Sequence, residues 1–258
     1  MGTVSWSALP EPVRGGVRER LGSPVAGAVD LAGGHSEGAA ARLRLADGRA
    51  VFVKAAADPA VRDFHRREAV VAAGLPASVP SPKLLFAFDD GPWAVLGFEF
   101  VAASMPGPAD LPRVLDAVTA MAGALTPAPI RPPTRPRLAG LESLDLAGDT
   151  LLHGDLYLFN ALVSPERVSI VDWAHAWVGP AYCDALMLMA GSPDAEALCA
   201  ANPLTRDLPP RVIDAFLAAH AGFLLDLAAR AADHPRLAST AAALGGASRD
   251  WLARRATG

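Results

Sequence analysis

The chain has little of what would tie it to an oxidising compartment, a membrane or a nucleic acid. It holds two cysteines, Cys183 and Cys199. Two cannot build a disulfide framework, and they fit a reducing cytosol. Lysine is scarcer than arginine by a wide margin: of 23 basic residues only Lys54 and Lys83 are lysine. The formal net charge is −4, so no basic surface marks a nucleic-acid partner. No apolar run reaches the roughly 18 residues that a membrane span needs. The most apolar helical stretch, 215–232, is interrupted by His220, Asp226 and Arg230. The first residues show no basic segment leading into an apolar one, so no signal peptide is read and a cytoplasmic location is expected. There is no internal repeat. Hydrophobic residues, by contrast, make up 52% of 258, enough for a sizeable core in one large domain or two lobes.

Along the chain, residues 10–21 read as a short helix with prolines in its first turn. Strand-like runs follow at 25–31, 40–45 and 50–53. The second alternates apolar and charged residues, the period of a half-buried strand, and Asp47-Gly48 supplies the turn into the third. Between the first two lies AGGHSEG, whose Gly33, Gly34 and Gly38 could bring backbone N–H groups close to phosphate oxygens; a glycine-containing β-turn is the bland alternative. Lys54 closes the third run. In a chain that otherwise writes arginine, a lysine there points to a need for a compact ammonium.

Asp58-Pro59 then caps a helix whose Val61, Phe64, Val71 and Leu75 form an apolar stripe. Glu68 falls on that stripe, and an inward acid needs a partner unless it snorkels at the stripe's edge. Lys54 is the candidate partner. Runs at 84–88 and 93–98 flank Asp89-Asp90-Gly91-Pro92 as a further hairpin. Residues 111–125 are helical by period. Residues 127–137 are rich in proline and arginine and read as a surface loop. A helix begins at Gly179-Pro180, and helices at 194–201, 207–232 and 235–255 finish the chain.

The densest chemistry lies in LLHGDLYLFNALVSPERVSIVDW, residues 151–173. Asp155, Asn160 and Asp172 stand beside apolar strand-like runs. A polar group at the end of a buried strand costs free energy unless it is paired or binds a cation. With no cation near it in sequence, Asp172 reads as a buried, unpaired carboxylate waiting for a metal. The spacing H-G-D-x-x-x-x-N, followed by a strand and Asp-Trp, is close to a protein-kinase catalytic loop and its metal-binding aspartate. With Gly154 after His153, it resembles the aminoglycoside phosphotransferase and choline kinase-like families of small-molecule kinases.

The resemblance implies an α+β, two-lobed protein-kinase-like fold: a five-stranded antiparallel N-terminal lobe with one helix over 1–98, a hinge at 99–101, and a mostly helical lobe over 102–258. It implies ATP and Mg2+. Asp155 would accept or orient the acceptor hydroxyl, and Asn160 and Asp172 would hold the metal. Lys54, paired with Glu68, would hold the phosphates under a loop including Gly33, Gly34, Ser36 and Gly38. The main chain of Phe98, Glu99 and Phe100 would read adenine. Asp184 would brace the catalytic loop.

The expected partner is a small hydroxylated molecule, an antibiotic or related metabolite, acted on by a monomer or homodimer. A polycationic acceptor would want carboxylates, and Asp194, Glu196, Asp207, Asp214, Asp226 and Asp233 offer them, but the terminal helix is basic on balance. A choline-like amine would need an aromatic cage, for which Trp173, Trp177 and Tyr182 stand close in sequence. A nucleotide-binding pseudokinase and a zinc or iron site built from His153, Asp155, Asp172 and His175 are the rivals. The first usually lacks one of Lys54, Asp155 and Asp172; the second leaves Lys54, Glu68 and Asn160 unexplained.

Overall fold

A computed structural model describes residues 4–31 and 38–257. The chain divides into two compact units. The first holds residues 1–75, 81–102 and 171–174; the second holds 76–80, 103–170 and 175–258.

In the first unit, α1 (Glu11–Leu21) precedes β1 (Val25–Asp30), β2 (Ala39–Leu45) and β3 (Ala50–Ala56). Then come α2 (Pro59–Gly74), β4 (Leu84–Asp90) and β5 (Trp93–Glu99). The strands form one antiparallel sheet in the order β1-β2-β3-β5-β4. The alternation in β2 does what its pattern promises. Ala39, Ala41, Leu43 and Leu45 are buried while Arg42 and Arg44 are exposed. Val13, Val17 and Leu21 of α1 share a core with Leu43, Leu45, Val51, Val53 and Val95. Each such side chain contributes roughly 1.5–3 kcal/mol by leaving water.

Two strand ends differ from the sequence reading. β3 does not stop at Lys54 but continues through Ala55 and Ala56, both fully buried. Their small side chains carry no strand signal, yet fit between β2 and β5. Lys54 is therefore interior, opposite Ala40 and Leu96. β5 likewise keeps Glu99, paired with Val51, so the chain leaves the sheet one residue later than expected.

The second unit contains α3 (Leu111–Ala124), short strands β6 (Thr150–Leu152), β7 (Ala161–Val163), β8 (Val168–Ile170) and β9 (Trp177–Gly179), and helices α4 (Tyr182–Met189), α5 (Ala195–Ala201), α6 (Pro210–Arg230) and α7 (Pro235–Arg255). β7 and β8 form the expected hairpin, with Ala161 opposite Ile170. β9 was not expected. Gly179-Pro180 ends this strand, which pairs with β6, and the helix starts only at Tyr182. By length and composition α6 could cross a membrane, contrary to the reading of its sequence. Its Ile213, Phe216, Leu217 and Leu224 are instead buried in this unit, where α6 packs on α7 and α4.

Candidate active site

The polar centre of the first unit joins β3, α2 and residue 172. Asp58 accepts hydrogen bonds from Ala60 N and Val61 N at 3.0 Å, which fixes the start and the facing of α2. Val61, His65, Glu68 and Val71 then point inward. Lys54 Nζ lies 2.5 Å from Glu68 Oε2 and 3.3 Å from Asp172 Oδ1. Glu68 is buried, and burial pushes its carboxyl up to about 7 against the pull of Lys54. Burial also works against the Lys54 ammonium, but Asp172 and Glu68 outweigh it and raise its pKa. Burial and the nearby Lys54 push His65 down to about 4.

Asp172 departs from expectation. It is exposed and ion-paired with Lys54, not buried and unpaired. The reason is local: β8 ends at Ile170, and Asp172 then adopts a left-handed φ of 69°. Aspartate tolerates that region, at a cost of order 1–3 kcal/mol. Such an outlier is the kind found where function overrides local preference. An exposed carboxylate is a fitting oxygen donor for a hard cation.

Of the proposed phosphate loop, Gly33, Gly34 and Ser36 lie outside the described residues. Gly38 is described. A Cβ there would sit 2.6 Å from the Ala55 carbonyl oxygen, so the backbone passes β3 only as glycine. Phe98 is a buried residue of β5, paired with Phe52 and Leu84. Glu99 ends that strand, and the Arg42 guanidinium lies 4.5 Å over the Phe100 ring just beyond it.

In the second unit β6 delivers the chain into the loop 153–160. Asp184 of α4 is buried and accepts hydrogen bonds from His153 N at 2.7 Å and Gly154 N at 3.0 Å. Burial raises its carboxyl above the ordinary value despite His153 and these two donors. Gly154 has φ 75°, and a Cβ would meet His175 O at 2.4 Å, so no other residue fits that turn. His153 is fully buried and its Nδ1 accepts from Asp155 N at 3.3 Å. Asn160 Nδ2 donates to Asp155 O at 2.8 Å and to Asp155 Oδ2 at 3.4 Å. Spending the amide nitrogen on the loop leaves the amide oxygen as the atom a cation would take.

Three features escaped the sequence reading. Arg137 Nη1 lies 2.7 Å from Asp155 Oδ1, and its guanidinium sits 5.2 Å from the Phe223 ring centre. Behind the loop, Tyr157 Oη and His220 Nε2 are 2.8 Å apart, and His220 Nδ1 is 2.8 Å from Ser248 Oγ, which donates to Leu244 O at 3.2 Å. The acids considered for a polycation site are largely taken. Arg255 pairs with Glu196 and, at 2.6 Å, with Asp214. Arg230 pairs with Asp226 at 2.5 Å and Arg206 with Asp207 at 3.3 Å. Trp173 and Trp177 are buried, and of the three aromatic cage candidates only Tyr182 is partly exposed. Among the described residues, no group of three or more His, Cys, Asp and Glu could hold a metal, so nothing here supports the zinc or iron reading.

Residues 137–239 match the model of the phosphotransferase enzyme family. Among solved structures, a thermostable mutant of aminoglycoside phosphotransferase APH(4)-Ia in complex with AMP-PNP and hygromycin B superposes with a TM-score of 0.66 at 16% identity, covering 96% of this chain and 100% of that one. A putative fructosamine-3-kinase from Thermobifida fusca YX-ER1 gives 0.64 at 21%, covering 94% and 100%. The amicoumacin kinase hAmiN, in complex with AMP-PNP, Ca2+ and Ami, gives 0.65 at 11%, covering 94% of each. No curated protein matches. The α+β fold is that of these kinases.

Proposed function

We infer that this chain is a small-molecule kinase, a reading supported by its partial family match and its fold, and that it moves the γ-phosphoryl group of ATP to a hydroxyl of a small molecule, an antibiotic or a related metabolite. The carrying observation is the loop 153–160. A buried carboxylate holds its backbone, and Asn160 ties its amide to Asp155. A loop that constrained presents a carboxylate at a fixed place, and phosphoryl transfer asks chiefly for positioning and charge neutralisation.

In this reading Asp155 accepts or orients the proton of the acceptor hydroxyl. That oxygen bonds to the γ-phosphorus as the bond to the β–γ bridging oxygen breaks, and ADP leaves. Lys54, held by Glu68, offers its ammonium to the donor's phosphate oxygens. Asn160 and Asp172 would hold Mg2+, which supplies charge neutralisation on the transferring phosphate. His153 packs behind the loop. The pseudokinase reading loses ground because Lys54, Asp155 and Asp172 are all present. A sugar-type metabolite kinase stays as the second reading, favoured by the fold shared with the putative fructosamine-3-kinase.

The test is a panel of hydroxylated antibiotics and sugars incubated with ATP and Mg2+. A mass gain of one phosphate on one of them is the expected result. No gain on any compound and no ADP release would remove the kinase reading.

A further inference from the structure

We propose that Arg137 sets the charge class of the acceptor: the site takes an anionic or neutral hydroxyl compound and rejects polycations. This rests on the kinase reading above, in which the acceptor hydroxyl meets Asp155.

Arg137 is the last residue of the proline- and arginine-rich segment 127–137. Its side chain is largely buried, 22% exposed, and Asp155 is similarly covered. Two contacts fix the guanidinium, Asp155 Oδ1 at 2.7 Å and the Phe223 ring. An arginine cannot shed its proton, so this is a permanent positive charge beside the group that receives the acceptor. Asp155 accepts only one of its five N–H donors. The others suit a carboxylate, phosphate or carbonyl oxygen next to the reacting hydroxyl, in the forked geometry that guanidinium favours.

The same charge works against a cationic acceptor. It neutralises Asp155, the carboxylate an ammonium group would otherwise seek, so the pair offers a cation no net attraction. Four of the six acids that a polycation site could draw on in this unit already have a cation. Glu196, Asp207, Asp214 and Asp226 are each paired with an arginine. Discrimination by a repulsive group is as effective as discrimination by an attractive one.

The experiment compares glucuronate, glucose, glucosamine and kanamycin with the intact protein. Each is measured as acceptor, and as inhibitor of acceptor-independent ATP hydrolysis, with the wild type, Arg137→Gln and Arg137→Lys. The wild type is expected to prefer glucuronate or glucose to glucosamine and kanamycin. In Arg137→Gln the ratio of anion to cation should fall at least tenfold, through KM or Ki. Arg137→Lys should restore much of it, and the KM for ATP should move less than threefold. A general loss of folding would lower all four probes together and leave their ratio unchanged. An unchanged ratio in an Arg137→Gln protein that keeps the wild-type KM for ATP, a wild-type preference for kanamycin, or no detectable interaction of glucuronate and glucose overturns the proposal. Absence of ATP turnover with every probe sinks the kinase reading instead; a failed charge ratio leaves that turnover intact.

Discussion

Two carboxylates, one in each unit, are almost completely buried, and the protein satisfies them differently. Glu68 meets a side-chain cation, Lys54, at 2.5 Å. Asp184 meets main-chain N–H groups, those of His153 and Gly154. Burial raises the pKa of both. A buried ion pair adds little net stability over apolar residues of the same shape, so Glu68 is explained better by what it does to Lys54 than by what it does for the fold. A buried acid that closes two otherwise orphaned N–H groups is structural in a stricter sense, because removing it leaves both donors unpaired. The contrast separates a residue that orients a charge from one that shapes a loop.

The largest effect should come from the group the shaped loop presents. Asp155→Asn is expected to lower transfer by about 10²–10⁴ while leaving nucleotide affinity nearly intact. Turnover within threefold of wild type, by ADP release, would take Asp155 out of the chemistry and leave Asp184 bracing a loop with no catalytic purpose.

Asp184→Ala comes next and strikes at stability directly. It should cost roughly 1–3 kcal/mol for each N–H left unpaired, read from urea unfolding, together with a fall in rate. Asp184→Asn keeps one good acceptor and should cost less. If Asp184→Ala were as stable as wild type, the two carboxylates would not differ in the way argued.

How far these roles were legible in the sequence depended on whether a residue sat in a regular element. Glu68 could be placed because α2 repeats every 3.6 residues and its apolar stripe fixes a direction. Lys54 stood out through the scarcity of lysine, and Asp155 and Asn160 through their spacing after β6. Arg137 could not be found that way. It lies in a segment without a period, beside Arg131 and Arg135, and only the fold brings it to Asp155. His220 and Ser248 meet because α6 packs on α7, which no local pattern encodes. Asp172 was placed at a strand end and taken as buried; a single left-handed residue turns it outward. β9 is three residues long, and its last residue, Gly179, is followed by Pro180, a signal that reads equally well as a helix start.

The opposite test of the comparison is Glu68→Leu. Lys54 keeps Asp172 as a partner, so the loss of stability should stay below the roughly 3–5 kcal/mol of a buried charge left unpaired, while transfer falls because Lys54 loses its tether. Glu68→Gln adds a pH signature. The folded carboxyl titrates near 7 and the unfolded one near 4.5, so the folded state carries the extra proton between those values. Wild-type stability from this group therefore rises as pH falls from 7 towards 4.5, and Glu68→Gln should remove that contribution. A Glu68→Leu variant that unfolds, or a Glu68→Gln variant with the wild-type pH profile, would show Glu68 to be structural after all.

The smallest effect concerns the buried chain behind the catalytic loop. Burial, aided by the nearby Arg137, pushes His220 down to about 3 from its ordinary 6.5. The ring is held neutral between Tyr157 and Ser248. Between pH 6.5 and about 3 the unfolded chain binds a proton here that the folded chain refuses. Stability from this group is thus complete above pH 6.5 and declines as pH falls, by at most about 1.4 kcal/mol per pH unit. His65, pushed down to about 4, acts with the same sign over a narrower window. His220→Gln should be destabilised at neutral pH, because Tyr157 and Ser248 lose well-aligned partners. Its stability should also fall less steeply on acidification, by close to one proton's worth of slope, with the His65 contribution untouched. Urea unfolding of wild type and variant at pH 4.5, 5.5 and 7.5 reads the difference. Parallel stability curves would mean that His220 is already protonated in the folded protein, and that the chain from Tyr157 to Leu244 carries a buried charge instead of a neutral relay.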